Sequence, residues 1–211
     1  MVSPVEGGRV IIVAFDGIVA DTLPRRATAL ADAITGEGAV AATDINARDL
    51  LTLLPGRTFA ESMAAAIDVL PALQHDRLRH DVTGHDLIVL RAQRSWAAAV
   101  AHGVPLRDGV ADRLQAAVAR GVRIVLRSDS QRREVEPLLR LAGLEDVMLF
   151  LRCADDLPRL AGVTSLQSSY EAITARLERQ RLPRTLRTAI EVDREATTMA
   201  LGFVDDIRTE W

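Results

Sequence analysis

Three polar turns in this chain carry the residue types that chemistry needs, and each follows an apolar run. Val10-Ile11-Ile12-Val13-Ala14-Phe15 empties into Asp16-Gly17-Ile18-Val19-Ala20-Asp21-Thr22, and Arg123–Arg127 runs into Ser128-Asp129-Ser130. A weaker apolar stretch, Thr188–Val192, ends on Asp193. A carboxylate at the first turn suits proton transfer, and Asp16 is the candidate acid/base; its other role would be to cap the backbone of its own turn. A hydroxyl at the second turn suits an anion, or it caps the helix that follows. Glu191 and Asp193, separated by Val192, stand at the end of that stretch.

These turns need elements to bring them together. Val10–Phe15 is continuous and rich in β-branched residues, as in a strand buried on both faces of a parallel sheet. Pro24 to about Ile34 predicts a helix, closed by a Gly36-Glu37-Gly38 break. From Asp44 to about Val100 the apolar residues, among them Leu50, Leu54, Phe59, Met63, Ile67 and Leu70, recur at helical spacing with no strand-rich block. Val110, Leu114 and Val118 trace a further helix that Gly121 ends. A strand over Arg123–Arg127, a helix over Glu134–Ala142, a strand over Val147–Leu151, a helix over Leu166–Leu182 and a strand over Thr188–Val192 complete the pattern. Strands alternating with helices imply an α/β fold with a parallel sheet, and ligands of such sheets bind beyond the carboxyl ends of the strands. Asp16, Ser128 and Asp193 all sit there.

The first turn resembles the first motif of the haloacid dehalogenase (HAD) superfamily, a hydrophobic strand followed by D-x-D-G-T-x-x-D-T/S. The second acid of that motif falls on Asp16, the glycine on Gly17 and the final Asp-Thr on Asp21-Thr22; the first acid falls on Ala14 and the threonine on Ile18. Gly103-Val104-Pro105-Leu106-Arg107-Asp108-Gly109 and Ala119-Arg120-Gly121-Val122-Arg123 are similar to the lead-in to the second motif in phosphoglycolate-phosphatase and β-phosphoglucomutase relatives, with Ser128 as its hydroxyl. Leu54-Pro55-Gly56-Arg57-Thr58-Phe59-Ala60-Glu61-Ser62-Met63 resembles the substrate-facing loop and helix of their helical cap. The likeness covers roughly the first three-quarters of the chain. It implies a Rossmannoid parallel-sheet core from residues 1–22 and 100–211 with an α-helical cap inserted over 23–99.

In that family the first acid attacks phosphorus and binds magnesium, the second acid handles protons, and a hydroxyl and a lysine hold the phosphoryl oxygens. Here Asp16 and Ser128 remain, while the Ala14 side chain has no oxygen. The chain has no lysine, so its 26 basic residues are all arginine. Where the family places lysine the chain reads Ala161-Gly162-Val163-Thr164-Ser165, with Arg159 the nearest cation, and a guanidinium does not replace an ammonium conservatively. Taking Asp16 as nucleophile instead would put Ile18 at the acid/base position. The resemblance therefore assigns Asp16 and Ser128 the catalytic roles, places Ala14, Gly17, Ile18, Arg57 and Asp129 around a ligand, and leaves Asp193 to a metal. No cofactor is required, and magnesium lacks most of its usual donors. Asp129 puts negative charge where a phosphate would want donors.

Three function classes follow: an atypical small-molecule enzyme with Asp16 as acid/base in a capped pocket, in specialised metabolism; a non-catalytic pseudoenzyme binding a ligand or partner protein; and a weak phosphomonoester hydrolase. A small-molecule ligand is the expected partner, and the oligomeric state is not legible. The net charge of −3 gives no reason to expect nucleic acid. No apolar run reaches the roughly 20 residues that span a bilayer, Met1–Gly8 do not resemble a secretion signal, and a single cysteine suits a reducing cytoplasm. His75-Asp76, His80-Asp81 and His85-Asp86 recur every five residues, a spacing that scatters ligands around a helix and reads as polar cap surface. Cys153, beside Asp155 and Asp156, is expected to be unreactive. Arg127 is expected to be buried along its stem with its head reaching water.

Overall fold

A computed structural model describes residues 10–36, 45–73, 82–156, 165–180 and 187–190. Strands β1 (Val10–Ala14), β2 (Arg123–Arg127), β3 (Met148–Arg152) and β4 (Arg187–Ile190) form one parallel sheet in the order β3-β2-β1-β4. Seven α-helices accompany them among the described residues: α1 (Leu23–Gly36), α2 (Ala47–Leu51), α3 (Phe59–Val69), α4 (Val82–Ala101), α5 (Val110–Ala119), α6 (Arg132–Leu141) and α7 (Ser165–Arg179). The expected α/β class holds, with each strand within two residues of its predicted bounds.

β1 is interior to the sheet and buried along its whole length, which its uninterrupted apolar sequence requires. Val10 and Ile12 join Val125 and Phe150 in a small cluster closed by Ile173 and Leu177 of α7. Ile11 and Val13 belong with Ile124 and Leu126 to the larger cluster, which takes in Leu114 of α5 and Leu138 of α6. The register pairs Ala14 with Arg127, so the chain leaves β1 and β2 at the same height. That alignment brings the first two polar turns side by side.

Between β1 and α5 the described residues form α1 to α4 and no strand. Helix α1 packs on α4 and α2, and α3 packs on α4. α2 and α3 each open with a reciprocal capping box, Asn46 with Asp49 and Thr58 with Glu61, which satisfies backbone donors the helix cannot. Trp96, 1% exposed, is the largest fully buried side chain among the described residues and fixes α4 to the rest. Arg159, Ala161–Thr164, Glu191, Asp193, His75, Asp76, His80 and Asp81 lie outside the described residues, so the structure says nothing of the expected third and fourth motifs.

Candidate functional site

The turn after β1 is tight. Val19 and Ala20 both donate backbone hydrogen bonds to the Phe15 carbonyl, at 3.1 and 3.0 Å, and Gly17 donates to Ala20 at 2.9 Å. Gly17 takes φ 83°, a left-handed conformation that side chains other than glycine adopt with strain. Arg107, from the turn before α5, clamps the loop by donating to the Gly17 carbonyl and pairing with Asp21 at 3.2 Å. Ile18 is 1% exposed and part of the main apolar cluster, and Ala14 is equally buried.

Asp16 stands at the centre of this arrangement, its carboxylate 4% exposed. Its Oδ2 accepts from Ser128 Oγ at 2.5 Å and from the Asp129 backbone N–H at 2.8 Å. Its Oδ1 accepts from Thr22 Oγ1 at 3.0 Å and Ser130 Oγ at 3.2 Å. Arg26 Nη1 lies 3.7 Å from Oδ1. Burial by itself pushes this carboxyl up, but Arg26 and the donors Ser128, Asp129 and Thr22 outweigh it and hold Asp16 below the ordinary carboxylate value. A carboxylate has about four lone-pair positions, and here four hydrogen bonds use them. Ser128 Oγ itself accepts from the Ser130 N–H at 3.0 Å. Ser128 is thus not the cap of the next helix; α6 starts at Arg132 with Gln131 as N-cap, and Glu134 accepts the Gln131 N–H at 2.9 Å.

Arg127 departs from expectation. Its head does not reach water: the residue is 1% exposed and forms a two-pronged ion pair with Asp129, at 2.6 and 3.2 Å. Asp129, two residues along, supplies the partner, since burying either charge alone would be costly. The negative charge that argued against a phosphorylated ligand is therefore already matched. Arg57 is part-buried; its Nη1 donates to the Leu53 carbonyl at 3.2 Å, and its own carbonyl accepts from Arg26 Nη2 at 3.0 Å.

Sequence reasoning gave no role to Arg26, Thr22, Ser130, Glu134 or Trp96. Arg26 is fully buried, with its guanidinium 5.0 Å from the centre of the Phe59 ring. It had a signal: on α1 it sits three residues after Leu23 and four before Leu30, on the apolar face, where a charge needs a buried partner. Glu134 Oε2 accepts from Trp96 Nε1 at 3.1 Å, tying α6 to α4.

The family's magnesium does not fit the described residues. Ala14 offers no side-chain oxygen, the Asp16 carboxylate has its accepting positions occupied, and no group of three or more His, Cys, Asp or Glu among the described residues converges as a metal site. Cys153 is buried, and burial first, with the acids Asp156 and Asp155 adding to it, pushes its thiol well up, so it stays a thiol.

No protein-family model matches the sequence, and no curated protein matches it. Solved structures do match. A predicted phosphoglycolate phosphatase from Haemophilus somnus superposes with a TM-score of 0.69 at 13% identity, over 88% of this chain and 77% of that one. A structure described as a haloacid dehalogenase-like hydrolase from Bacteroides fragilis gives 0.64 at 17% identity, over 92% and 84%. CbbY from Rhodobacter sphaeroides, in complex with xylulose-(1,5)bisphosphate, gives 0.60 at 19% identity, over 86% and 76%. At these identities the likeness shows the fold: the chain has the HAD-like architecture that its motifs resemble. No helix among the described residues is long and apolar enough to cross a membrane.

Proposed function

We propose that this chain, a protein of the haloacid dehalogenase-like fold, has left phosphoryl transfer and works as a non-catalytic binding protein. Its helices α1–α4 act as a cap (residues 23–99 in the resemblance) over the ends of the core strands (1–22 and 100–211), and its ligand is a small molecule. The observation that carries this reading is the state of Asp16. Its carboxylate is buried, paired with Arg26 and engaged by four donors. To act as a base it would have to give up one of those bonds, and its depressed proton affinity makes it a poor acid. Ala14 at the nucleophile's position in the resemblance and the absence of lysine support the same reading. An atypical enzyme using Asp16 as acid/base is the less supported alternative for the same reason. The lone, buried Cys153 suits a reducing compartment such as the cytoplasm.

The test is hydrolysis of p-nitrophenyl phosphate with magnesium by the wild type and Asp16→Asn. The proposal expects both to stay at the level of buffer. Turnover by the wild type that Asp16→Asn abolishes would restore the weak phosphomonoester hydrolase reading, which the likeness to structures named as phosphatases favours.

A further inference from the structure

Arg26 acts on two buried carboxyl groups that hold different numbers of partners. Asp16 has its accepting positions filled. Glu134, 4% exposed, accepts from Trp96 and from the Gln131 N–H on Oε2, whereas its Oε1 has no hydrogen-bond partner. Arg26 Nε and Nη1 likewise have none, Nη1 being held to Asp16 only by charge at 3.7 Å. The charged and polar groups facing Glu134 are Arg26 from α1, Trp96 from α4, and Arg133 on its own helix. From the turn after β3, Asp155 and Asp156 engage Arg132, two residues before Glu134 on α6.

We infer that Glu134 is the proton acceptor of this seam: on acidification it takes a proton on Oε1 while the Asp16–Arg26 pair stays charged. The reason is geometric. A proton on Asp16 must displace one of four donors, but a proton on Oε1 displaces nothing, and Oε2 goes on accepting from Trp96 as the carbonyl of a neutral acid. Burial, which raises the Glu134 carboxyl against the opposing pull of the Gln131 N–H, Arg26, Trp96 and Arg133, acts in the same direction. The inference is independent of the function proposed above and needs no ligand.

The experiment is a titration of the full chain labelled with carboxyl ¹³C in glutamate and aspartate. A parallel reading follows Trp96 emission in a Trp211→Phe background, which leaves one of the two tryptophans. Glu134 is expected to protonate at higher pH than Asp16, with Trp96 emission changing at the Glu134 midpoint. Glu134→Gln, the shape of the protonated form, is expected to keep the native circular dichroism and lose that emission change. Protonation of Asp16 before or together with Glu134 would overturn the inference, as would an emission change that persists in Glu134→Gln. If Glu134→Gln fails to fold, the order of the two wild-type carboxyl midpoints still decides.

Discussion

Ser128 Oγ donates to Asp16 Oδ2 at 2.5 Å, joining two turns that are 112 residues apart in the chain. The link exists because β1 and β2 are parallel neighbours in register, with Ala14 opposite Arg127, so both turns leave the sheet at one level. The Asp129 N–H and Ser130 Oγ add two more bonds from the same turn. A carboxylate so held acts as a rivet between the strand ends.

Asp16→Asn is expected to destabilise the fold by about 3–5 kcal/mol, the scale for breaking a buried ion pair by removing one partner. The asparagine amide cannot accept from all four donors, and it takes from the buried Arg26 guanidinium the carboxylate 3.7 Å away. Urea denaturation followed by circular dichroism measures the loss. A change within experimental error would mean that Asp16 is not structural.

Arg26→Met should cost a similar amount for the mirror reason, since it strands a buried carboxylate. The double variant with Asp16→Asn should then lose clearly less than the two single losses added together, because neither partner is left charged. A double-mutant cycle from the same denaturation data gives the coupling, and simple additivity would contradict the pairing.

The acid limb of stability follows from opposite shifts. Asp16 is held below its ordinary value in the fold, so the unfolded chain binds its proton first; the stability it contributes is fully present above the unfolded value and is lost as pH falls through the lower, folded one. Glu134 is raised, so it contributes the other way, and folding gains stability as pH falls through its folded value. Asp16→Asn should flatten the loss of thermal stability at the acid end, and Glu134→Gln should remove a gain that sets in at higher pH. Melting temperatures across the acid range, compared with wild type, test both signs.

Much of this architecture was legible because the strands are short and continuously apolar: Val10–Phe15 has nowhere to go but a sheet interior, and the turn after it begins where the apolar residues stop. The nearness of Asp16 to Ser128 was legible from their places just past neighbouring strands. The state of the carboxylate was not. Whether a carboxylate is open or saturated depends on Thr22 and Arg26 at the start of α1 and Ser130 from the turn after β2, and no local pattern encodes their convergence. Arg127 misled for a related reason: taken singly, a charged side chain belongs at the surface, and only the fold shows Asp129 turned back onto it.

Arg127→Leu is expected to destabilise by about 3–5 kcal/mol, because it leaves Asp129 charged and buried. Replacing both members, Arg127→Leu with Asp129→Leu, should recover much of that loss, since a buried ion pair exchanged for apolar side chains is often neutral or better. Thermal melts of the two variants decide it; a double variant as damaged as Arg127→Leu alone would show that the pair does more than balance charge.

Ala14→Asp would return an acid to the tip of β1, and it is expected to produce no phosphatase. Position 14 is 1% exposed and lies opposite Arg127 in the parallel register, on the same face of the sheet. A new carboxylate there competes with Asp129 for one guanidinium and must otherwise be buried unpaired, so stability should fall. Asp16 would still be saturated by its four donors, and no lysine is available to hold a phosphoryl group. Hydrolysis of p-nitrophenyl phosphate with magnesium should therefore stay at background in Ala14→Asp as in the wild type. Magnesium-dependent turnover in this variant, abolished again by Asp16→Asn, would show that Asp16 can still move a proton and that only the nucleophile had been lost.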